Sequence, residues 1–289
     1  MIYNILFIVN PISGTGKQKN VASVIEKYLD LSKFDYKIEY TEFNKHASEI
    51  AENAIGKFQI IIAVGGDGTI NEIVKSIYKS DVIFSVIPTG SGNGLARHLG
   101  IPQNIIKAIR RINQLNIKEI DILKINDEIS VNVSGFGFDA FVALKFSQSK
   151  KRGPLTYVKH VLKEYFKYKT QHFNVKIGTE IHNYKAIMLT IANATEFGNN
   201  IAISPKSMCN DGKFEMIVFP KIPNRIIPFI LYRLISRSIH KSKYVKTIST
   251  KQIQIINSQK LLSHIDGEVR YFENDVNIEI LTNALKVIC

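Results

Sequence analysis

The chain has 289 residues, 45% hydrophobic and 22% charged, a globular balance that excludes a disordered or fibrous protein and leaves room for two ordinary domains. Its net charge of +13 calls for an anionic partner; nucleic acid, an acidic bilayer and a nucleotide all have the right sign. Two cysteines, Cys209 and Cys289, exclude a disulfide framework and fit a reducing cytoplasm.

The opening MIYNILFIVNP lacks a basic leader and reads as a first strand, not a signal peptide. Ile5–Val9 is strand-like and leads through NPISGTG (Asn10–Gly16) to the helical Val21–Leu29. Tyr36–Thr41 is a second strand, followed by a helix over Ser48–Ile55 that Gly56 stops. Ile60–Val64, the turn GGDGTINE (Gly65–Glu72) and a helix over Thr69–Tyr78 come next. Val82–Ile87 then runs into PTGSGNGLAR (Pro88–Arg97) and another helix. Near-continuous apolar strands between helices predict a doubly wound α/β nucleotide-binding domain over residues 1–125.

From about Asp121 the pattern changes to successive strands: Ile120–Ile125, Ile129–Val133, Phe173–Ile177, Tyr184–Ala192, Phe214–Phe219, Ile253–Ile256, Val269–Phe272 and Val276–Leu281. Helical stretches near Leu155–Tyr168 and Pro223–His240 interrupt them. This predicts a mainly antiparallel β-sandwich with two helical insertions over residues 126–289, its last strand a candidate to return to the first domain. No apolar run approaches the roughly 18 residues of a membrane span.

Four glycine-bearing turns follow apolar strands: NPISGTG, GGDGTINE, PTGSGNGLAR and SGFGFDA (Ser134–Ala140). Ligands bind beyond the C-terminal ends of strands in open α/β sheets, so the first three should meet at one rim. Glycines admit a polyphosphate close to the backbone, and a helix N-terminus offers unpaired N–H groups. Asp67 adds a carboxylate where magnesium or a reacting hydroxyl would lie, which points to nucleotide-dependent phosphoryl transfer. Walker A fails, because Gly16-Lys17 is followed by Gln18 and Pro11 stands at the required earlier glycine; GxGxxG is absent as well. The seven histidines show no metal-ligand spacing, and His98 is expected on a helix surface.

NPxSGxG, GGDGTxNE, PxGSGNxLAR, GFGFDA, NDGKFE (Asn210–Glu215) and IDGE (Ile265–Glu268) occur in one order along the chain. With this set the sequence resembles the diacylglycerol kinase catalytic-domain family, which includes bacterial lipid kinases and sphingosine kinases. The resemblance covers essentially the whole chain and implies ATP in an interdomain cleft, with its γ-phosphate passed to a lipid hydroxyl. It implies that Asn10, Ser13 and Gly14 contact phosphate and that Thr41 lines the nucleotide site. Gly65, Gly66, Asp67, Gly68, Thr69 and Asn71 would cradle the phosphates, with Glu72 at the base of the helix. Ser91, Gly92 and Asn93 form the third contact, with Arg97 beyond. Met208, Asp211 and Lys213 match positions that hold a structural Mg2+, two of them by main-chain oxygen, although Asn210-Asp211-Gly212 is also a hairpin turn in any protein. Glu268 matches the general base of bacterial diacylglycerol kinases, whereas sphingosine-kinase-like members favour the position of Asp67. Asp121 and Asp266 are expected in the same hydrogen-bonded network or as ordinary turn and capping residues.

GSGN followed by a small residue resembles the sphingosine kinase branch, and Asp139 aligns with its headgroup-contacting acid. The acceptor therefore stays open between diacylglycerol, a sphingoid base and another lipid alcohol. Pro223–Lys246 mixes large apolar residues with Arg and Lys, the composition of a helix that lies on an anionic bilayer at the inner face of the membrane; Lys145–Lys169 is a second basic candidate. A NAD kinase-like enzyme and a catalytically silent lipid- or nucleotide-binding regulator are the competing readings. No nucleic-acid-binding motif is present, and a homodimer is left open.

Overall fold

Ile60–Gly65 is six residues of unbroken burial, as a strand covered on both faces requires. In the computed structural model of the protein, which describes residues 2–14, 20–147, 161, 163–257 and 259–289, this strand is β3. It lies beside β1 (Tyr3–Val9), with β2 (Phe34–Tyr40) beyond β1 and β4 (Ile83–Pro88) on the far side of β3. All four run parallel in the order β2-β1-β3-β4. Helices α1 (Val21–Tyr28), α2 (His46–Ala54), α3 (Asp67–Ile77), α4 (Gly94–His98) and α5 (Ile105–Ile112) come between or after them. Their apolar stripes, including Ile25, Ile50, Ile73 and Ile109, share one core with Phe7, Ile62 and Phe84. The chain passes from β1 outward to β2 and then back across to β3. That reversal opens a crevice beyond the C-terminal ends of β1 and β3.

The rest of the chain supplies β5 (Ile117–Ile125), β6 (Glu128–Ser130), β7 (Val133–Gly137), α6 (Phe138–Ser147), β8 (Gln171–Ile177), β9 (Glu180–Ala186) and β10 (Met188–Ala192). After these come β11 (Phe214–Phe219), β12 (Lys246–Thr250), β13 (Gln252–Ile256), β14 (Leu261–Ile265), β15 (Glu268–Phe272) and β16 (Val276–Ile288). β16 joins the two halves. Its beginning pairs antiparallel with β13, its end pairs parallel with β4, and β5 pairs with it along both stretches. A ten-stranded sheet therefore continues from one half into the other. A six-stranded antiparallel sheet, β12-β11-β10-β7-β14-β15, stacks on its later part. Leu123, Phe173 and Ile278 of the first sheet meet Phe136, Leu189 and Met216 of the second in a shared core. The architecture is a mixed α/β N-terminal domain with a parallel sheet and a C-terminal antiparallel β-sandwich.

The elements depart from the sequence pattern where the chain changes sheets. The expected strand Ile129–Val133 is two short strands, β6 in the ten-stranded sheet and β7 in the six-stranded one. The expected strand Tyr184–Ala192 likewise breaks at Ile187 into β9 and β10 in different sheets. SGFGFDA is the end of β7 and the start of α6, not a turn. FDAFVALKFS, the sequence of α6, is apolar nearly all round, so it carries no helical stripe to read. Helix Pro223–His240 is a 3-10 turn at Asn224–Ile226, an α-helix at Ile227–Ile235 and a second 3-10 turn at Ile239–Lys241. Most of Leu155–Tyr168 and of Lys145–Lys169 lies outside the described residues.

Asp121 pins the join. Its buried carboxylate accepts the Gly212 N–H at 2.7 Å and the Asn283 N–H at 2.8 Å. Asn283 has φ 51 and sits in the register shift of β16 between Leu281 and Leu285. Asp121→Ala removes the acceptor of both N–H groups and leaves a gap at the buried position it fills. We expect it to lower the unfolding free energy by roughly 2–4 kcal/mol, read as a lower urea midpoint at unchanged m-value.

Candidate active site

Asn10 follows β1 and Gly65 ends β3, so both stand at the crevice. The Asn10 amide donates to Thr69 Oγ1 at 3.1 Å, and its Oδ1 accepts the Ile12 N–H. Ser13 Oγ is 2.8 Å from Thr89 Oγ1, which fastens the first turn to the third. Gly14 has φ +61, and a Cβ there would fall 1.8 Å from Thr89 O; one on Gly90 would fall 2.4 Å from Gly66 Cα. No side chain fits between these backbones. The first three glycine turns meet at one rim.

Helix α3 begins at this rim without a side-chain cap, so its first N–H groups and positive dipole end face the crevice, a ready anion site. Asp67, its first residue, turns away from that end. Oδ2 accepts the Asn93 N–H and Oδ1 the Gly94 N–H, each at 2.8 Å, which caps the start of α4. Burial pushes the Asp67 carboxyl up to about 6 against these two donors, and the charge of Asp266 adds to the shift. Asp67 is thus a pin between the second and third turns.

The second carboxylate comes from the other domain. Ile265–Glu268 is the hairpin turn between β14 and β15, with φ 48 at Asp266 and 92 at Gly267, as a two-residue Asp-Gly hairpin requires. Asp266 is a buried hub. Its Oδ1 accepts Ser130 Oγ–H at 2.6 Å and the Asn132 N–H at 3.0 Å; its Oδ2 accepts the Val131 N–H and the Asn71 amide, both at 2.9 Å. Burial holds its carboxyl above the usual carboxylate range despite four donors. This hub carries Glu268 to the start of α3, where Oε1 lies 3.5 Å from the position a Cβ on Gly68 would take. Oε2 accepts from Arg270 at 2.9 Å. Arg270 also pairs with Glu128, and Glu128 with Lys75 of α3. Asp121 lies elsewhere, at the β16 join.

The other expected contacts divide. Thr41 closes β2 with its N–H on Val9 O, beside the first turn. Asn71 faces the junction instead of the rim, donating to Ile129 O and Asp266. The Glu72 carboxylate accepts backbone N–H groups of Lys45 and Ala47 at the start of α2; burial and the charge of Glu268 raise its pKa. Ser91 is exposed. Gly92 O accepts from Arg97 Nε at 3.1 Å, and Arg97 Nη1 reaches Asn200 Oδ1. Asn93 is held in the left-handed region at φ 54 by bonds to Gly90 and Gln103. His98, on α4, is partly buried and not a free surface group: it lies 3.4 Å from Thr195 Oγ1 across the domain contact, and burial and Arg237 lower its pKa to about 4.

Asp139 begins α6 in the six-stranded sheet. Its Oδ1 accepts the Ala140 N–H, and its Oδ2 accepts Thr190 Oγ–H at 2.9 Å and lies 3.5 Å from His264 Nε2. His264 accepts the Gly267 N–H on Nδ1, which places its proton on the Nε2 facing Asp139. Neither His264 nor Arg270 stands out in the sequence. Arg270 was findable, since two residues beyond Glu268 on a strand is the same face.

Met208, Asp211 and Lys213 share one exposed loop before β11. Asp211 Oδ1 accepts the Lys213 N–H at 3.1 Å, and its charge contributes to a raised Glu215 pKa, after burial. An exposed carboxylate with loop carbonyls and water suits Mg2+, which takes few protein ligands. Among the described residues no group of three or more His, Cys, Asp or Glu is disposed to hold a metal, so a cation here depends on main-chain oxygens. Cys209 in this loop is buried, which pushes its thiol up to about 11.

Residues 4–125 match the diacylglycerol kinase catalytic domain, and residues 132–289 match the YegS C-terminal NAD kinase β-sandwich-like domain. The chain belongs to the diacylglycerol kinase catalytic-domain family. It is similar to a diacylglycerol kinase of Bacillus subtilis, 26% identical over 270 residues that span 90% of this chain and 88% of that one. It shares its fold with the crystal structure of a diacylglycerol kinase from Bacillus anthracis str. Sterne, with TM-score 0.75, 20% identity, and coverage of 99% and 96% of the two chains.

Asp266→Asn replaces one acceptor oxygen of the hub with an N–H2 group that faces N–H or O–H donors. We expect a loss of roughly 2–4 kcal/mol of stability, measured by urea unfolding.

Proposed function

We propose that the protein is an ATP- and Mg2+-dependent lipid kinase that passes the γ-phosphate to the hydroxyl of a membrane lipid. The reaction lies in a cleft between residues 1–125 and 126–289. The observation that carries this reading is Glu268: a carboxylate from the C-terminal domain with one oxygen held by Arg270 and the other facing the uncapped start of α3. Phosphates lying on α3 would meet the glycine rim and the dipole end of the helix.

The acceptor oxygen attacks the γ-phosphorus, the bond to the β-phosphate oxygen breaks, and ADP leaves. The hydroxyl proton passes to Glu268 Oε1, and Arg270 keeps the carboxylate aimed during that step. Asp67, with both oxygens accepting backbone N–H groups, is less available as a base and suits holding the third turn and water around a cation. Bound Mg2+ would neutralise charge on the phosphates. Asp139, Glu72 and the Met208–Lys213 loop lie outside the proton transfer.

We take the acceptor to be an uncharged lipid alcohol such as diacylglycerol. The Asp139 carboxylate is only 8% exposed and already faces Ala140, Thr190 and His264, which leaves little place for the ammonium of a sphingoid base. The reaction belongs at the cytoplasmic face of a membrane, with the protein peripheral: among the described residues no helix is long and apolar enough to cross one.

Radiolabelled ATP offered with diacylglycerol, monoacylglycerol, sphingosine or NAD tests the reading. Label is expected in diacylglycerol; folded protein with Mg2+ that labels no lipid would refute it, and label in NAD would favour the dinucleotide kinase. Glu268→Gln should lose about 10²–10⁴-fold in turnover with an unchanged urea midpoint. If Glu268→Gln keeps full activity, the base lies elsewhere.

Turnover should also have an acid limb. Burial pushes the Asp67 carboxyl up to about 6, so it takes up a proton as the pH falls below that value and loses its hold on charge at the rim. Activity is expected to fall about tenfold per pH unit below 6, read from a pH–rate profile; a profile flat down to pH 4.5 would show that Asp67 need not be ionised.

A further inference from the structure

The helix Ile227–Ile235 is apolar on both faces: Ile227, Ile230 and Leu234 pack on the core, and a second apolar set points outward. Only Ile230 is buried, while Phe229 is 48% exposed, Leu231 36%, Tyr232 65% and Ile235 68%. An amphipathic helix with one core-facing stripe would carry polar residues on the outer face. Four large apolar side chains on one short helix form a contiguous patch of the kind that marks an interaction surface. Beneath the patch, Ile230 joins Phe138, Met188 and Ile217 in the apolar layer over the six-stranded sheet. That layer adjoins Asp139 at the start of α6.

The surroundings of the patch carry one sign of charge. From Met216 to Ile265 the sequence contains no Asp or Glu, and every charged side chain there is Lys or Arg. Arg225, Lys241 and Lys243 flank the helix and are exposed. Arg233 lies over the Phe229 ring at 4.5 Å, its charge at the edge of the apolar patch. An acid brought in by the fold, Glu196, is buried and paired with Arg237 at 2.7 Å. Exposed Leu, Ile and Phe ringed by cations fit an acyl boundary under anionic headgroups. Duplex nucleic acid offers no apolar phase to take aliphatic side chains.

We propose that Ile227–Ile235 is the membrane-docking helix, lying in the interface of an anionic bilayer with Phe229, Leu231, Tyr232 and Ile235 turned into the acyl boundary and Arg225, Lys241 and Lys243 on the headgroups. The choice of a bilayer over another anionic surface rests in part on the lipid-kinase reading. Arg237, two residues past the helix, holds Glu196; the Asn200 N–H also donates to Glu196 at 2.9 Å, and Asn200 accepts from Arg97 next to the third glycine turn. The docking helix is thereby tied, through Glu196 and Asn200, to Arg97 beside the third glycine turn.

The chain contains no tryptophan, so a single Tyr232→Trp substitution reports one place. With vesicles of phosphatidylglycerol, its emission should shift to the blue and be quenched by brominated acyl chains. Ile181→Trp, on β9 at a site 63% exposed, should do neither. The triple variant Arg225→Gln/Lys241→Gln/Lys243→Gln should bind these vesicles on the order of a hundredfold more weakly, and 0.5 M salt should weaken the native protein as well. Circular dichroism confirms that each variant is folded. Equal binding to neutral phosphatidylcholine vesicles, an unchanged emission from the Tyr232→Trp variant, or a shift caused by duplex DNA in preference to vesicles would overturn the assignment. So would a concentration-dependent dimer that Tyr232→Ser/Ile235→Ser abolishes, since the patch would then be a contact between two copies. No nucleotide or turnover is involved, so failure here leaves the kinase reading standing, and vesicle binding is read separately from the outcome of the kinase assay.

Discussion

The arrangement of this site depends on the carboxylate of Asp266. Four donors from two places, Asn71 of α3 and the stretch from the end of β6 to Asn132, converge on it. A carboxylate taken out of water costs several kcal/mol unless such donors replace the lost hydration. Here the compensation is geometric as well as energetic: the donors fix a hairpin turn of one domain against a helix of the other. Glu268 is two residues along the chain from that hub. Its position over α3 is a consequence of hydrogen bonding at Asp266 more than of any contact it makes itself.

Charge at the rim is balanced in the same indirect way. Asp67 and Glu72 have raised pKa values from burial, each reinforced by a neighbouring acid, Asp266 for one and Glu268 for the other. Each carboxylate nonetheless accepts backbone N–H groups at the start of a helix, α4 for Asp67 and α2 for Glu72, where the helix dipole favours negative charge. The start of α3 between them carries no side-chain cap; the acids beside it are Asp67, whose oxygens accept the Asn93 and Gly94 N–H groups, and Glu268 of the other domain. The fold thus neutralises two helix ends internally and leaves the third without a side-chain cap.

Much of this was legible in the sequence and some was not, for identifiable reasons. β3 was plain because six consecutive apolar residues admit few other readings, and the glycines after it marked where α3 begins. The residues of the rim were legible through motif order, but their division of labour was not. Asn71 and Asp67 stand in one motif, yet Asn71 points to the domain junction and Asp67 to α4, and sequence spacing does not say which way a side chain turns. Strand periodicity failed at Ile187 and between Ser130 and Val133, because a chain that switches sheets keeps its apolar character while changing its partner. β16 was read only as far as Leu281; the break that Asp121 stabilises at Asn283 interrupts the pattern, although the strand continues to Ile288.

The two halves are joined by unlike means. Along β16 and β5 the join is a continuous hydrogen-bonded sheet with apolar residues on both sides, which resists relative movement. At the site it consists of polar contacts: Asp266 with Asn71, Arg270 with Glu128, and Arg97 with Asn200. Side-chain hydrogen bonds of this kind contribute about 1 kcal/mol each and exchange readily with water or ligand. A junction that is a sheet at one end and polar contacts at the other can exchange those contacts without disturbing the core. The spacing between the glycine rim of one domain and Glu268 of the other is therefore set at contacts that can exchange, not at the shared sheet.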